Sequence, residues 1–164
     1  ADLAGAEVEL VNAPNRELKL KNILDGLEYD YILIDCPPSL GLLSINALVA
    51  ASDVLIPVQA EYYALEGLSQ LMDTLQQVKA AGLNPGLNVV GVLMTMYDKR
   101  TSLAEQVVTE VRKHFGNKVV ATVRPRNVRL AEAPSFGVSV GEHDKWSKGS
   151  RAYKAFAKEL ERKL

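Results

Sequence analysis

The chain has 164 residues, 48% hydrophobic and 24% charged, an ordinary globular balance with enough length for one real core. No apolar run approaches the ~20 residues of a membrane span, and no charged-then-apolar leader is read at the start. A single cysteine, Cys36, excludes an internal disulfide framework, and two histidines without a second cysteine make no zinc constellation. The net charge of −1 conceals an asymmetry: residues 1–96 hold 4 Lys/Arg against 12 Asp/Glu, or −8, and residues 97–164 hold 15 against 8, or +7. A basic half is the electrostatic footprint of polyanion binding, although a solvated helix face has the same pattern in one dimension.

Residues 1–12 have a helical composition. Asn15 is placed to cap a helix from Arg16 to about Gly26, with Leu18, Ile23, Leu24 and Leu27 on its apolar side. Ile32-Leu33-Ile34 is an apolar run too short for a free helix and suits a strand, Tyr31–Ile34, covered on both faces. Pro37 and Pro38 stop that strand because they cannot donate to a ladder. Asp35 then falls at the carboxyl end of a buried strand, where open α/β sheets place ligands. An acid there is the geometry of a Walker B residue beside Mg²⁺ and phosphate, and equally of a turn cap. Cys36 reads as a packed thiol.

A helix follows from Ser39 through Ile45, Leu48 and Val49 to Ala51. Asp53–Gln59 is the second strand, and Glu61–Gly67 a turn into a long helix with a stripe of Leu68, Leu71, Met72, Leu75 and Val78. Gly82 and Asn84-Pro85-Gly86 end it. Val89–Met96 is the third strand, Thr101–Phe115 an amphipathic helix, and Lys118–Val123 the fourth strand. Val128–Ala133 is a short helix closed by Pro134, 137–149 is loop-rich, and Ser150 caps a last helix to Leu164. Its stripe of Tyr153, Phe156, Ala157, Leu160 and Leu164 packs on the sheet or, in a sharper reading, lies on a membrane. Strands alternating with helices predict an α/β fold with a doubly wound, mostly parallel sheet in one domain, 1–164. His114 and His143 have no partners at ligand spacing and are expected at the surface.

Four blocks, YDYILIDCPPSLGLLSIN from Tyr29, IPVQAEYYALEGLSQ from Ile56, VLMTMYDKRT from Val92 and PRNVRLAEAPSFG from Pro125, occur in this order. Together they resemble the ParA/Soj family of partitioning ATPases, in the deviant Walker A (MinD/ParA) branch of P-loop NTPases. The Gly-rich KGGxGKT loop that opens such proteins has no counterpart here: Gly86 to Gly91 has the G-x₄-G spacing but continues into Val92 and Leu93. The resemblance therefore implies the C-terminal portion of a P-loop NTPase sheet with its N-terminal part missing, a chain not expected to hydrolyse ATP alone.

The resemblance implies further roles. Asp35 is the catalytic-side acid, holding Mg²⁺ through water, and Pro37, Pro38 and Ser39 form the turn beside the γ-phosphate. Met96, Pro125, Arg126 and Asn127 lie at the base of ATP; Met96 suits core packing as well. Arg100 and Arg129 match positions linked to nonspecific DNA binding, with Arg126, Lys99, Lys145, Lys148 and Lys154 extending the patch. Glu61, Tyr62 and Tyr63 fall near the family's dimer face. The implied function is ATP-dependent chromosome or plasmid partitioning by a homodimer that binds DNA and answers to a ParB/Spo0J-type centromere-binding protein, in the cytoplasm at the nucleoid. A membrane partner is not expected. The alternatives are a non-catalytic DNA- or protein-binding module on the same scaffold and a MinD-like membrane-associated ATPase.

Overall fold

A computed structural model describes residues 3–164. They pack as two compact units: the first runs up to Val54 and adds Ser69–Asn88, and the second comprises Leu55–Leu68 and Val89–Leu164.

The first unit is built on helices. α1 (Leu3–Val11), a 3-10 turn (Arg16–Leu18) and α2 (Lys19–Leu24) gather around α3 (Leu42–Ala50). α3 buries Ala47, Leu48 and Val49 together with a polar residue, Asn46, which is 3% exposed. The Asn46 amide is fully used. Its Oδ1 accepts the Leu20 N–H at 3.1 Å, and its Nδ2 donates to the carbonyls of Arg16 at 2.9 Å and Leu42 at 3.0 Å. A buried amide with all these partners fixes α2 and the turn against α3, since any other arrangement leaves them unpaired. Asn84 works similarly, donating to the carbonyls of Leu48 and Ala51 at 2.9 and 2.7 Å, so the turn at 82–86 caps the end of α3.

Two expectations fail in this unit. Asn15 takes the left-handed conformation (φ 50°) and makes no side-chain cap, so the chain enters α2 through a 3-10 turn. The Tyr31–Ile34 segment is not a buried strand. Among the described residues no backbone hydrogen bond ties 28–38 to another element, and Tyr31, Ile32 and Leu33 are exposed, Leu33 by 91%. β-propensity alone does not make a strand; a ladder partner does, and the described residues supply none.

The sheet is drawn mostly from the second unit, with Asp53, Val54 and Asn88 counted in the first. β1 (Asp53–Gln59) pairs with β2 (Asn88–Thr95). The Asn88 N–H meets the Ser52 carbonyl and the Ala60 N–H meets that of Thr95, so both chains advance in the same sense and the pair is parallel. α4 (Ala64–Ala80), whose residues from Ser69 onward belong to the first unit, makes the crossover and buries Leu68, Leu75 and Val78 of the predicted stripe. β1 buries Ile56 and Val58 on one face and exposes Pro57, as an edge strand can. β2 buries every residue from Val90 to Met94, the signature of a strand covered on both sides.

α5 (Ser102–Phe115) follows, burying Ala104, Val107, Val108 and Val111. The fourth strand expected over Lys118–Val123 is only a lane beside β2. It is joined by isolated parallel bridges at Val92–Val119 and, just beyond it, Tyr97–Pro125, and its first residue, Lys118, belongs to a 3-10 turn (Gly116–Lys118). Gly91 permits the lane's approach: a Cβ there would sit 3.0 Å from Val120 Cγ2.

α6 (Val128–Glu132) continues into a 3-10 turn (Ala133–Phe136) with Pro134 near its start, so Pro134 opens a turn rather than closing a helix. α7 (Val140–His143) begins with a complete capping box between Ser139 and Glu142, in a stretch read from sequence as loop. α8 (Lys148–Glu161) is capped by Ser147, whose Oγ accepts the Ser150 N–H at 3.1 Å; Ser150 lies inside the helix and is buried. Phe156 packs with Leu93 and Val120, flanked by Leu55 and Leu160, so part of the predicted stripe serves the core, while Tyr153, Ala157 and Leu164 are exposed. No helix among the described residues is long and apolar enough to cross a membrane.

Candidate functional site

Asp35, Pro37 and Pro38 lie in the first unit on the extended, exposed segment before α3. The Asp35 carboxylate makes no hydrogen bond to a described residue. The end of the turn is tied down: Ser44 Oγ donates to the Ser39 carbonyl at 2.5 Å. Cys36 is exposed rather than packed, 3.8 Å from the Ile34 carbonyl. Partial desolvation, then the charge of Asp35, raises its thiol above the ordinary value, so it is poor in thiolate. No group of three or more candidate metal ligands exists among the described residues. One unpaired carboxylate nevertheless fits Mg²⁺, which is commonly held by one or two carboxylates together with water and phosphate oxygens.

Met96, Pro125, Arg126 and Asn127 belong to the second unit and do converge. As β2 ends, Met96 adopts φ 54°, a conformation costly for a residue with a Cβ. The chain around it is laced to the lane: Arg124 N–H to Met94 carbonyl at 2.8 Å, Tyr97 N–H to Arg124 carbonyl at 3.0 Å, and Arg126 N–H to Tyr97 carbonyl at 3.2 Å. Met96 is 43% exposed and is not a core residue. Arg126 reaches Glu61, Nη2 to Oε1 at 2.5 Å. Asn127 Oδ1 accepts the Arg129 N–H at 3.0 Å and caps α6, so its side chain already has a structural task.

Arg124, which the sequence reading passed over, is 8% exposed; its guanidinium lies over the Tyr153 ring, and its Nε has no hydrogen-bond partner among the described residues. Glu159 was missed as well: it accepts from the N–H groups of Ala121 and Thr122 at 2.7 and 3.0 Å and from the Thr122 hydroxyl at 2.9 Å, fastening the lane to α8. No periodicity marks either residue.

The two candidate DNA cations are both paired. Arg100 forks onto Asp98, with Nε at 2.9 Å and Nη2 at 2.6 Å. The Arg100 side chain, then its backbone N–H, hold the Asp98 carboxyl down at about 2. Arg100 itself stays 84% exposed. Arg129 Nη1 donates to Glu132 at 2.8 Å, and its Nε lies 3.5 Å from Asp144. Glu132 stands three residues after Arg129, a spacing that puts both on one helix face and was legible beforehand. His143 is not a free surface residue: its Nε2 lies 3.4 Å from Glu132, and its ring stacks on Phe136 with centroids 4.8 Å apart. Tyr62 and Tyr63 are exposed and meet edge to face at 5.4 Å. Lys99, Lys145, Lys148 and Lys154 are exposed.

The chain holds a parallel β-α-β arrangement of the α/β class, and a family profile described as "AAA domain" matches residues 1–89. The chain is 58% identical over 161 residues to the chromosome partitioning protein ParA of Myxococcus xanthus, covering 97% of this chain and 56% of that protein. It is 56% identical over 160 residues to the sporulation initiation inhibitor protein Soj of Bacillus subtilis, covering 96% and 63%. Its fold is similar, with TM-score 0.77 and 38% identity, to cobyrinic acid a,c-diamide synthase from Mycobacterium smegmatis with bound ATP analog and magnesium, covering 98% of this chain and 59% of that one. The chain belongs to the ParA/Soj family of partitioning ATPases, within the MinD/ParA branch of P-loop NTPases. It spans about three fifths of the length of these relatives.

Proposed function

We propose that this chain is the C-terminal portion of a single ATPase domain whose complete protein is an ATP-dependent chromosome- or plasmid-partitioning enzyme. The observation that carries the reading is the left-handed turn at Met96, laced to Arg124–Arg126 at the carboxyl end of a doubly covered parallel strand. Parallel α/β sheets place ligands at that end, and strain at an exposed residue is a mark of function. In this reading Met96, Pro125, Arg126 and Asn127 receive the base end of ATP, through an apolar face and backbone groups. Asp35 orders Mg²⁺ through water, and the rigid Pro37-Pro38 exit fixes where that carboxylate points. Mg²⁺ with bound ATP supplies charge neutralisation on the transferring phosphate. Arg100 and Arg129 contact DNA phosphates without reading bases, and the protein acts as an ATP-dependent homodimer stimulated by a ParB-type partner, in the cytoplasm on the nucleoid.

One paired experiment on the complete protein tests this. Arg100→Ala with Arg129→Ala removes two phosphate contacts, so the slope of log affinity against log salt becomes shallower by about 1.8, at about 0.9 per contact. ATP affinity stays unchanged. Asp35→Ala gives the opposite profile, loss of ATP turnover with nucleotide still bound. An unaltered salt slope refutes the DNA assignment, and normal turnover in Asp35→Ala refutes the role of the acid.

A further inference from the structure

Glu132 sits between two nitrogen groups. The same carboxylate oxygen is 2.8 Å from Arg129 Nη1 and 3.4 Å from His143 Nε2. The His143 side chain is only 16% exposed and held flat against Phe136, so the imidazole cannot swing away freely. Asp144, next in the chain, takes the other edge of Arg129. With His143 neutral, Arg129, Glu132 and Asp144 together carry one net negative charge, which repels a phosphate. One Nη1 hydrogen bond of Arg129 is moreover already taken by a Glu132 carboxylate oxygen, an acceptor of the kind a phosphate presents.

We propose that Glu132 is an internal competitor for Arg129: a DNA phosphate that takes the guanidinium hands Glu132 over to His143, which gains a proton from solvent. The proposal rests on the DNA reading of Arg129 given above. No covalent bond changes. Glu132 exchanges one charge-assisted partner for another, one proton is taken up per site, and the summed charge of Arg129, Glu132, Asp144 and His143 rises from −1 to 0 as the phosphate binds. The groups facing His143 allow this. α6 contributes Arg129 and Glu132, the following 3-10 turn contributes the Phe136 ring, and the helix end contributes Asp144. Glu142 is engaged by Ser139. α8 also packs on α7, and its Lys148 and Arg151 make no ion pair with these groups among the described residues. The Glu132 carboxyl is held below its ordinary value, first by Arg129 and then by His143, which agrees with a carboxylate both neighbours contend for.

The test is binding of the complete protein with ATP to nonspecific duplex DNA at fixed ionic strength, between pH 6 and 8. Binding that takes up a proton weakens as pH rises, at most about tenfold per pH unit for one proton, in the range where histidine changes charge. An overall loss of about three- to tenfold is expected. His143→Gln flattens the profile, and so does His143→Phe, which keeps the stack on Phe136. Glu132→Gln flattens it too and tightens binding at pH 8. Titration calorimetry in two buffers of different protonation enthalpy counts the proton directly. A flat wild-type profile, or a His143→Gln profile parallel to wild type, overturns the hand-over while Arg129→Ala still weakens DNA binding. If Arg129→Ala leaves DNA affinity and salt slope intact, the DNA reading itself has failed.

Discussion

Replacing Asn46 by alanine removes a polar hub from the middle of a helical core and leaves its partners where they are. The Leu42 carbonyl keeps an acceptor role inside α3, four residues before the Asn46 N–H. The Leu20 N–H and the Arg16 carbonyl lose the partners that Asn46 provides. Each partly buried orphan costs about 1–2 kcal/mol, so Asn46→Ala should destabilise the chain by roughly 2–4 kcal/mol. For a chain of this size that is a drop in Tm on the order of 4–16 °C. Urea unfolding followed by far-ultraviolet circular dichroism measures the loss, and amide exchange at Leu20 locates it. Asn46→Asp sharpens the test. It keeps the acceptor for Leu20 but turns a carboxylate toward two carbonyl oxygens, which favours the protonated acid. Its folded-state pKa is therefore raised above the unfolded value, and its deficit relative to wild type is largest at neutral pH and shrinks on acidification. If Asn46→Ala costs less than about 1 kcal/mol and Leu20 exchanges no faster, the hub argument is wrong.

Glu159 gives an acid-limb prediction. Partial burial raises its carboxyl, but the N–H groups of Ala121 and Thr122 and the Thr122 hydroxyl outweigh that and leave it below the usual 4.5. A depressed folded-state value means stability present above the unfolded pKa and lost as pH falls through the folded one. Glu159→Gln should therefore lower Tm at pH 7, and the gap to wild type should close as the pH falls below the ordinary carboxylate range; a constant gap on acidification contradicts the clamp. Gly149 lies near the start of α8, and a Cβ there would meet Leu130 Cγ at 2.8 Å. Gly149→Ala should lose about 1 kcal/mol net despite its better helix propensity, and Leu130→Ala in the same chain should recover part of the loss in a double-mutant cycle.

What was legible from sequence divides by physical origin. β1, α4, β2 and α5 fall within a residue or two of expectation, because each couples a hydrophobic period to a stop signal: Pro57 and the turn after it, Gly82 with Asn84-Pro85-Gly86, and Thr101 before α5. The Tyr31–Ile34 run carries as strong a propensity and forms no strand, because ladder pairing is a property of two segments and only one was being read. The lane at 118–123 falls short as well: Lys118 belongs to a 3-10 turn and the rest meets its neighbour only through isolated bridges. The Ser147 cap was misplaced by three residues because two serines, at 147 and 150, both suit the role, and only geometry shows which donates its N–H to the other. Among the candidate site residues, Asp35 was singled out by the apolar run and the Pro37-Pro38 stop, whereas Met96, Pro125, Arg126 and Asn127 came only from the family resemblance. Arg124, Glu159 and the His143–Glu132 contact were invisible because their partners lie far off in sequence or across a turn.

The left-handed turn at Met96 has a consequence for how this protein can be altered. Glycine would occupy that conformation without steric cost, so stability alone does not account for a methionine there. A residue of this kind marks a place where folding free energy has been given up, and such places trade stability against activity. In a stabilising library, Met96→Gly or Met96→Asn would emerge as a gain in thermal tolerance. Each would also strip a flexible, polarizable thioether from a partly exposed strand end. Selection for heat resistance and selection for ligand affinity would then pull one codon in opposite directions, and the residue that survives would reveal which of the two the site was under.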